Sequence, residues 1–335
     1  MQGDFVPFMT FNELAHKYPL SEADAAFVEA SRNEIVKHLF NDSDKFVLII
    51  GPCSVHDPEA MLRYSAWLKT QQECFGDKIF FILRTYIEKS RTAIGWRGLA
   101  RQPDPLQPEN TLLGIQKARA LLLEITKLRI PCAVEIVHPI LWYYWHDLIA
   151  WGSIGARNIE SQSIREMASS FPFPCGFKNA RNGDIDAAIH AMMVAYNNSF
   201  TVIMNEAGQL GELATSGNKM IHLILRGTYN QPNWHKTPEI TKTLHNLGLP
   251  ETIIIDTSHG NSRKNPHAQF SAMKSAIKLK KRGYPVRGIM VESYIKEGNQ
   301  LLAKSASIDP DLSITDPCLD LTASHELIKE LYKSV

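Results

Sequence analysis

The stretch LIIGPCSVHDP, Leu48 to Pro58, decides how this chain is read. A β-rich apolar run stops at Gly51-Pro52, Cys53 follows the break, and Asp57-Pro58 then carries the N-cap and first-position signature of a helix. A strand, a short loop bearing a reactive side chain and a helix in that order form half of a βαβ unit. The same pattern recurs along the chain. Apolar runs lie at 46–50, 79–83, 132–136, 153–157, 175–179, 221–225, 252–256 and 288–292, and their near-continuous hydrophobicity is what a parallel sheet covered on both faces requires. Between them, EAMLRYSAWLKTQQEC, LLGIQKARALLLEITKL, DIDAAIHAMMVAYNN, TPEITKTLHNLG and AQFSAMKSAIKLKKRG carry amphipathic helical spacing. Eight such repeats favour a closed (β/α)8 TIM barrel over a doubly wound open sheet.

Two segments fall outside the repeat. A short helical N-terminal arm is expected over 1–44, ahead of a single barrel domain over 45–335, and FTVIMNEAGQLGELATSG (200–217) reads as a β-hairpin insert before the sixth strand. The chain has 335 residues, 44% of them hydrophobic and 21% charged, with 36 basic against 35 acidic side chains. That balance argues against nucleic-acid or membrane-surface binding through bulk charge. With no apolar targeting stretch at its start and no spanning run, the chain is expected to be cytoplasmic. Its five cysteines, at 53, 74, 132, 175 and 318, lack the spacing of a disulfide framework or a zinc knuckle. A metal site must therefore be assembled from residues far apart in sequence.

A barrel places its chemistry at the C-terminal ends of its strands. Read along the eight runs, those ends supply Cys53, Arg84, Glu135, Arg157, Lys178, Arg226, His259 and Glu292. An arginine at one strand end is commonly a surface ion-pair partner. Four cations converging on one mouth are another matter, because their repulsion calls for an anionic substrate carrying phosphate or carboxylate. Lys89, Arg91 and Arg97, in the loop after the second run, raise the set to seven cations and suggest two anionic substrates or one highly charged one. Cys53 has three readings: a buried structural thiol, a nucleophile with His56 or His259 as base, or a metal ligand. The third finds partners at the same mouth in His259, Glu292 and Asp316, a mixed donor set that suits Mn2+, Fe2+, Co2+ or Zn2+.

The motifs GPCSVHDP, RTYIEKSRTAIGWRGL, AVEI, WGSIGARNIESQ, GFKNA, HLILRG, DTSHGNS, VESYIKEGNQ and SITDPC, in that order, resemble the type I 3-deoxy-D-arabino-heptulosonate 7-phosphate (DAHP) synthases, collinearly from about residue 12 onward. The resemblance implies a metal-dependent condensation of phosphoenolpyruvate with erythrose 4-phosphate that releases phosphate and opens the shikimate pathway to aromatic amino acids. It implies one divalent metal ion on Cys53, His259, Glu292 and Asp316. Arg84 and Lys178 would face the phosphoenolpyruvate carboxylate, while Arg97, Arg157, Arg226 and the Ala156 N–H would hold its phosphate. Lys89, Arg91 and Thr92 would line the erythrose 4-phosphate site, Glu135 would position a water, and Lys89, His259 or a bound water would serve as general acid or base. A homodimer or homotetramer is implied as well.

Three departures from the family pattern stand out. Ser90 occupies a position where the family usually has proline, which is expected to loosen the substrate loop and leaves open another phosphorylated aldose. Arg97 stands where the family has lysine. The third departure concerns regulation: Pro139, Trp142 and Tyr143 are bulky where relatives that bind an aromatic effector are more open, so inhibition by phenylalanine is expected to be weak or absent. The same stripe, HPILWYYWHDLIAW, also reads as a helix packing its aromatics on the barrel or on a partner. Two rival readings of the chain are a Schiff-base aldolase working through Lys178 and a non-catalytic barrel serving as a metabolite sensor. Cys318, two residues beyond Asp316, is expected to approach Cys53 closely enough for a disulfide on oxidation of the metal-free protein.

Overall fold

The computed structural model describes residues 5–302 and 307–335; the first four residues of the expected arm lie outside it. The arm comprises α1 (Phe11–Lys17), with Thr10 and Glu13 forming a reciprocal capping box, and α2 (Glu22–Phe40), capped by Ser21. The barrel strands are β1 (Phe46–Gly51), β2 (Ile79–Arg84), β3 (Cys132–Ile136), β4 (Trp151–Ile154), β5 (Cys175–Lys178), β8 (Ile221–Leu225), β9 (Ile253–Asp256) and β10 (Val286–Glu292). They are parallel and close in the order β1-β10-β9-β8-β5-β4-β3-β2. The expected hairpin is present as antiparallel β6 (Ser199–Met204) and β7 (Leu210–Thr215).

Helices cover the outside: α3 (Pro58–Phe75), α4 (Thr111–Lys127), α5 (Gln162–Ala168), α6 (Asp186–Tyr196), α7 (Thr237–Asn246), α8 (Gln269–Lys281) and α9 (Leu321–Ser334). Alternation along β1 explains the two apolar layers. Val47 and Ile49 point inward to join Ile82, Ala133, Trp151, Ile224, Ile254 and Met290, whereas Phe46, Leu48 and Ile50 face the helices. Ile35 and Leu39 of α2 pack into the inner layer, and Thr252 donates to the Leu39 carbonyl at 2.8 Å, so α2 closes the N-terminal end of the barrel. The opposite, C-terminal end is left to the loops.

Two elements differ from the sequence reading. The aromatic stripe forms a 3-10 helix, Leu141–Leu148, broken at Trp145 (φ −139°), and its Trp142 packs edge-on against Phe171 and Phe173. The fourth strand runs from Trp151 to Ile154, two residues earlier than the 153–157 run, so Gly155, Ala156 and Arg157 belong to the mouth. A methyl group on Gly155 would overlap Glu135 Oε1, so glycine there makes room for that carboxylate.

Candidate active site

The end of β10 and the loop beyond it build the innermost part of the mouth. Glu292 is buried and accepts from Arg84 Nη2 at 2.8 Å, both side chains being 1% exposed. The loop carrying Asp316 is fastened to this strand end by Leu319 N to Glu292 O (3.0 Å) and Tyr294 N to Leu319 O (2.8 Å), and to the β1 loop by Ser54 Oγ with Thr315 Oγ1 (2.7 Å). One donor atom each from Cys53, Glu292 and Asp316 fall within 4.8 Å of one another. His259 Nε2 lies 3.6 Å from Glu292 Oε1, and its Nδ1 is held by Asp256 Oδ2 at 3.0 Å. A histidine oriented through one nitrogen by a buried carboxylate is the usual setting of a metal-ligating imidazole. His259 also has φ +52°, a left-handed conformation that costs a non-glycine residue on the order of 1–3 kcal/mol.

Charge around this cluster is tightly paired. Asp256, wholly buried, accepts from Lys178 Nζ (3.1 Å) and from the Ser258 backbone and hydroxyl (3.1 and 2.8 Å). Burial opposes its ionisation, but His259 and Lys178 overcome that and hold its carboxyl well below the ordinary carboxylate range. Asp316 shows the same competition, with His259, Lys89 and Lys264 winning over burial. Lys89 Nζ donates to Cys53 Sγ at 2.9 Å; burial works against its ammonium, but Cys53, Glu135 and Asp316 drive its proton affinity above the lysine norm. Burial and then Glu292 push the Cys53 thiol up, partly opposed by Lys89. Three oxygen and sulfur donors, from Cys53, Glu292 and Asp316, converge here with the His259 imidazole beside Glu292, a set whose chemistry fits a divalent ion. Cys318, buried too, sits against the Cys53 backbone N–H.

Outward of the cluster, Lys89, Arg91, Arg157, Arg181, Arg226, Tyr229, His259, Lys264, Thr315 and Asp316 line one cleft. Glu135 faces it from β3, close enough to influence both Lys89 and Arg157. Ala156 is half-buried between these elements. Thr92 accepts from Arg157 Nε at 2.8 Å and Arg181 Nη1 at 2.7 Å. Arg97 lies apart from this lining, with Nη1 3.9 Å from Glu109 Oε1. Arg84 is below the cleft, held by Glu292, the Pro52 and Cys53 carbonyls and Met290. Sequence reasoning missed Asp256, Arg181, Tyr229 and Lys264. Asp256, the last residue of its strand, could have been found by the strand-end rule, had each strand been allowed two functional residues. His56, by contrast, has Nε2 3.4 Å from the Asp309 carbonyl and plays no visible part beside Cys53.

The fold and the cleft define a (β/α)8-barrel enzyme with an interior polydentate ligand cluster and a cationic mouth for anionic substrates. Residues 27–329 match the DAHP synthetase I family. The chain is 36% identical over 330 residues to the Trp-sensitive phospho-2-dehydro-3-deoxyheptonate aldolase of Salmonella typhimurium, spanning 98% of this chain and 94% of that one. It is 38% identical over 332 residues to the protein of the same name from Buchnera aphidicola, spanning 98% and 95%. The solved phospho-2-dehydro-3-deoxyheptonate aldolase from Francisella tularensis superposes with a TM-score of 0.95 at 34% identity, covering 100% of this chain and 98% of that one. This chain belongs to the DAHP synthetase I family and is an enzyme of that class. No described helix is long and apolar enough to cross a membrane.

Proposed function

We propose that this protein condenses phosphoenolpyruvate with D-erythrose 4-phosphate and water, giving 3-deoxy-D-arabino-heptulosonate 7-phosphate and phosphate, in the cytoplasm. The observation that carries this reading is the cation-lined cleft beside a metal-ready cluster, in a chain of this family. Two phosphates and one carboxylate bring about five negative charges at neutral pH. Among the described residues Arg91, Arg157, Arg181 and Arg226 have no carboxylate within ion-pair distance, which suits them to that load. A divalent cation on Cys53, His259, Glu292 and Asp316 would supply Lewis acidity at the aldehyde oxygen.

The chain's own groups do the rest. Arg157, Arg226 and the Ala156 N–H are assigned the phosphoenolpyruvate phosphate, Lys178 and Arg84 the carboxylate end; Arg97, turned toward Glu109, would add to the phosphate site only on swinging inward. Lys89, Arg91 and Thr92 orient the aldehyde substrate so that its C1 meets the nucleophilic C3 of phosphoenolpyruvate. As positive charge develops at C2, the Glu135 carboxylate directs a water to that carbon, and Lys89 or His259 manages the proton. The Schiff-base alternative finds less support, since Lys178 Nζ is engaged by Asp256 at 3.1 Å. The deciding experiment measures phosphate release from phosphoenolpyruvate with a panel of aldose phosphates, before and after chelation. Turnover with erythrose 4-phosphate that is lost to chelator and restored by Mn2+, Fe2+, Co2+ or Zn2+ is expected. Chelator-resistant activity, or borohydride trapping of a keto substrate, would overturn it. Phenylalanine added to the same assay is expected to inhibit weakly or not at all.

A further inference from the structure

Arg181 is a cation that the family resemblance does not assign, and its surroundings raise a hydrogen-bonding question. It sits just beyond β5, in a loop tightened by Ala180 N to Asp184 O (2.9 Å) and Gly183 N to Ala180 O (3.0 Å), with its guanidinium 5.2 Å from the centre of the Tyr229 ring. Its Nη1 and Arg157 Nε both donate into the single hydroxyl oxygen of Thr92. A hydroxyl has two acceptor sites and one donor. Both acceptor sites are therefore filled, and the Thr92 O–H is left to donate; the described residues give it no acceptor.

Two guanidiniums brought to one oxygen repel each other. The proton affinity of Arg157 is lowered first by burial and next by Arg181, and Arg91 adds to the effect. Neither Arg181 nor Arg91 has a carboxylate partner among the described residues, and both line the cleft. Arg181 meets the Thr92 hydroxyl, and Arg91 lines the same cleft and, like Arg181, acts on Arg157; donors of this kind, with no carboxylate to neutralise them, suit a phosphate. Of the cleft's arginines Arg226 alone is buried and stands on the inner side, whereas Arg91 and Thr92 are exposed and Arg181 is half-buried, which leaves this outer group for a second anion.

We propose that Arg181 binds the terminal phosphate of the aldose substrate, acting with Arg91 and the Thr92 hydroxyl; this rests on the condensation proposed above. Arg181 then sets specificity for a phosphorylated over a free aldose, rather than assisting the carbon–carbon bond-forming step. The test compares the wild type with Arg181→Ala and Arg181→Lys, using erythrose 4-phosphate and unphosphorylated erythrose as co-substrates. Loss of one charge-assisted contact is expected to raise KM for erythrose 4-phosphate roughly 10- to 100-fold. Phosphoenolpyruvate affinity, read by calorimetry, and the rate with erythrose should stay within about threefold, with Arg181→Lys falling between. An unchanged KM for erythrose 4-phosphate, or an equal loss with erythrose, overturns the assignment, the second because it marks a purely structural role. If the wild type turns over no aldose phosphate, the functional reading fails and this inference with it. If it does and Arg181→Ala behaves as wild type, only the inference fails.

Discussion

Cys53 is a thiol in a place that resists its ionisation. Burial and the Glu292 carboxylate raise its pKa above the ordinary cysteine value, against the pull of Lys89. In the metal-free protein it is therefore protonated throughout pH 6 to 8, and a metal ion can use its sulfur only by displacing that proton. The sign follows: metal affinity rises with pH. A gain of about tenfold per pH unit from Cys53 is expected in competition titrations with a chromophoric chelator. Cys53→Ser should both weaken binding and remove that share of the slope; a variant with wild-type affinity and slope would return Cys53 to a structural role. Lys89 fits the same picture, because its ammonium beside Sγ favours the thiolate once the ion is bound. Arg84 and Glu292 carry a further constraint, since removing either partner of a fully buried pair strands the other at roughly 3–5 kcal/mol.

The loop between β2 and α4 is the element on which binding and stability meet. Gly98, at φ +96° and with no room for a Cβ against the Ile87 carbonyl, folds the loop back on itself, and Lys89 N to Arg97 O (3.0 Å) closes it. Ser90, where proline would have stiffened the chain, donates to Asn158 Oδ1 at 3.2 Å, and Asn158 in turn donates to the Val137 carbonyl at 2.8 Å. A side-chain tether thus offsets some of the freedom that the missing proline leaves. Beneath it Glu88 is 2% exposed, and burial pushes its carboxyl up to about 8, although backbone N–H groups of His138 and Val137 pull the other way. A carboxyl whose pKa is raised on folding contributes stability that is complete below the unfolded value of about 4.5, and that contribution is lost as pH rises through about 8. The melting temperature of the wild type should accordingly fall, relative to Glu88→Gln, between pH 5 and 8.5. Parallel curves for the two proteins over that range would show that Glu88 ionises freely.

At the scale of the molecule, the barrel's closure leaves two apolar surfaces uncovered. The hairpin exposes Phe200 (65%), Val202 (69%) and Leu210 (66%), and the arm exposes Phe5, Val6 and Phe8. Arm and hairpin are joined by Asn12 N to Glu206 O at 3.1 Å, so these surfaces belong to one side of the protein. We propose that this surface is buried in a homodimer or homotetramer, the assembly that the family resemblance implies. Sedimentation velocity is expected to give a mass above the 37.8 kDa of one chain, and Phe200→Glu with Val202→Glu to lower it. A wild type that sediments as a single chain would refute the proposal.

Repeating strand and helix patterns, read from residue types alone, determined the eight-stranded architecture, the arm, the hairpin and the ionisable residue at each strand end. They did so because burial on both faces of a parallel strand imposes a local, visible composition. Which of those residues meet was decided only in three dimensions. Cys53 and Asp316 are separated by most of the chain, and only the shear of the barrel and the pinned loop after β10 bring them together. Arg97 and Arg84 occupy equally suggestive positions, yet one leans out to Glu109 and the other is held beneath the cleft. Arg181, in a loop with no periodic pattern, gained its meaning from a shared hydroxyl oxygen. Hydrogen-bond direction and charge repulsion act through space, and the order of residues along a chain does not encode that distance.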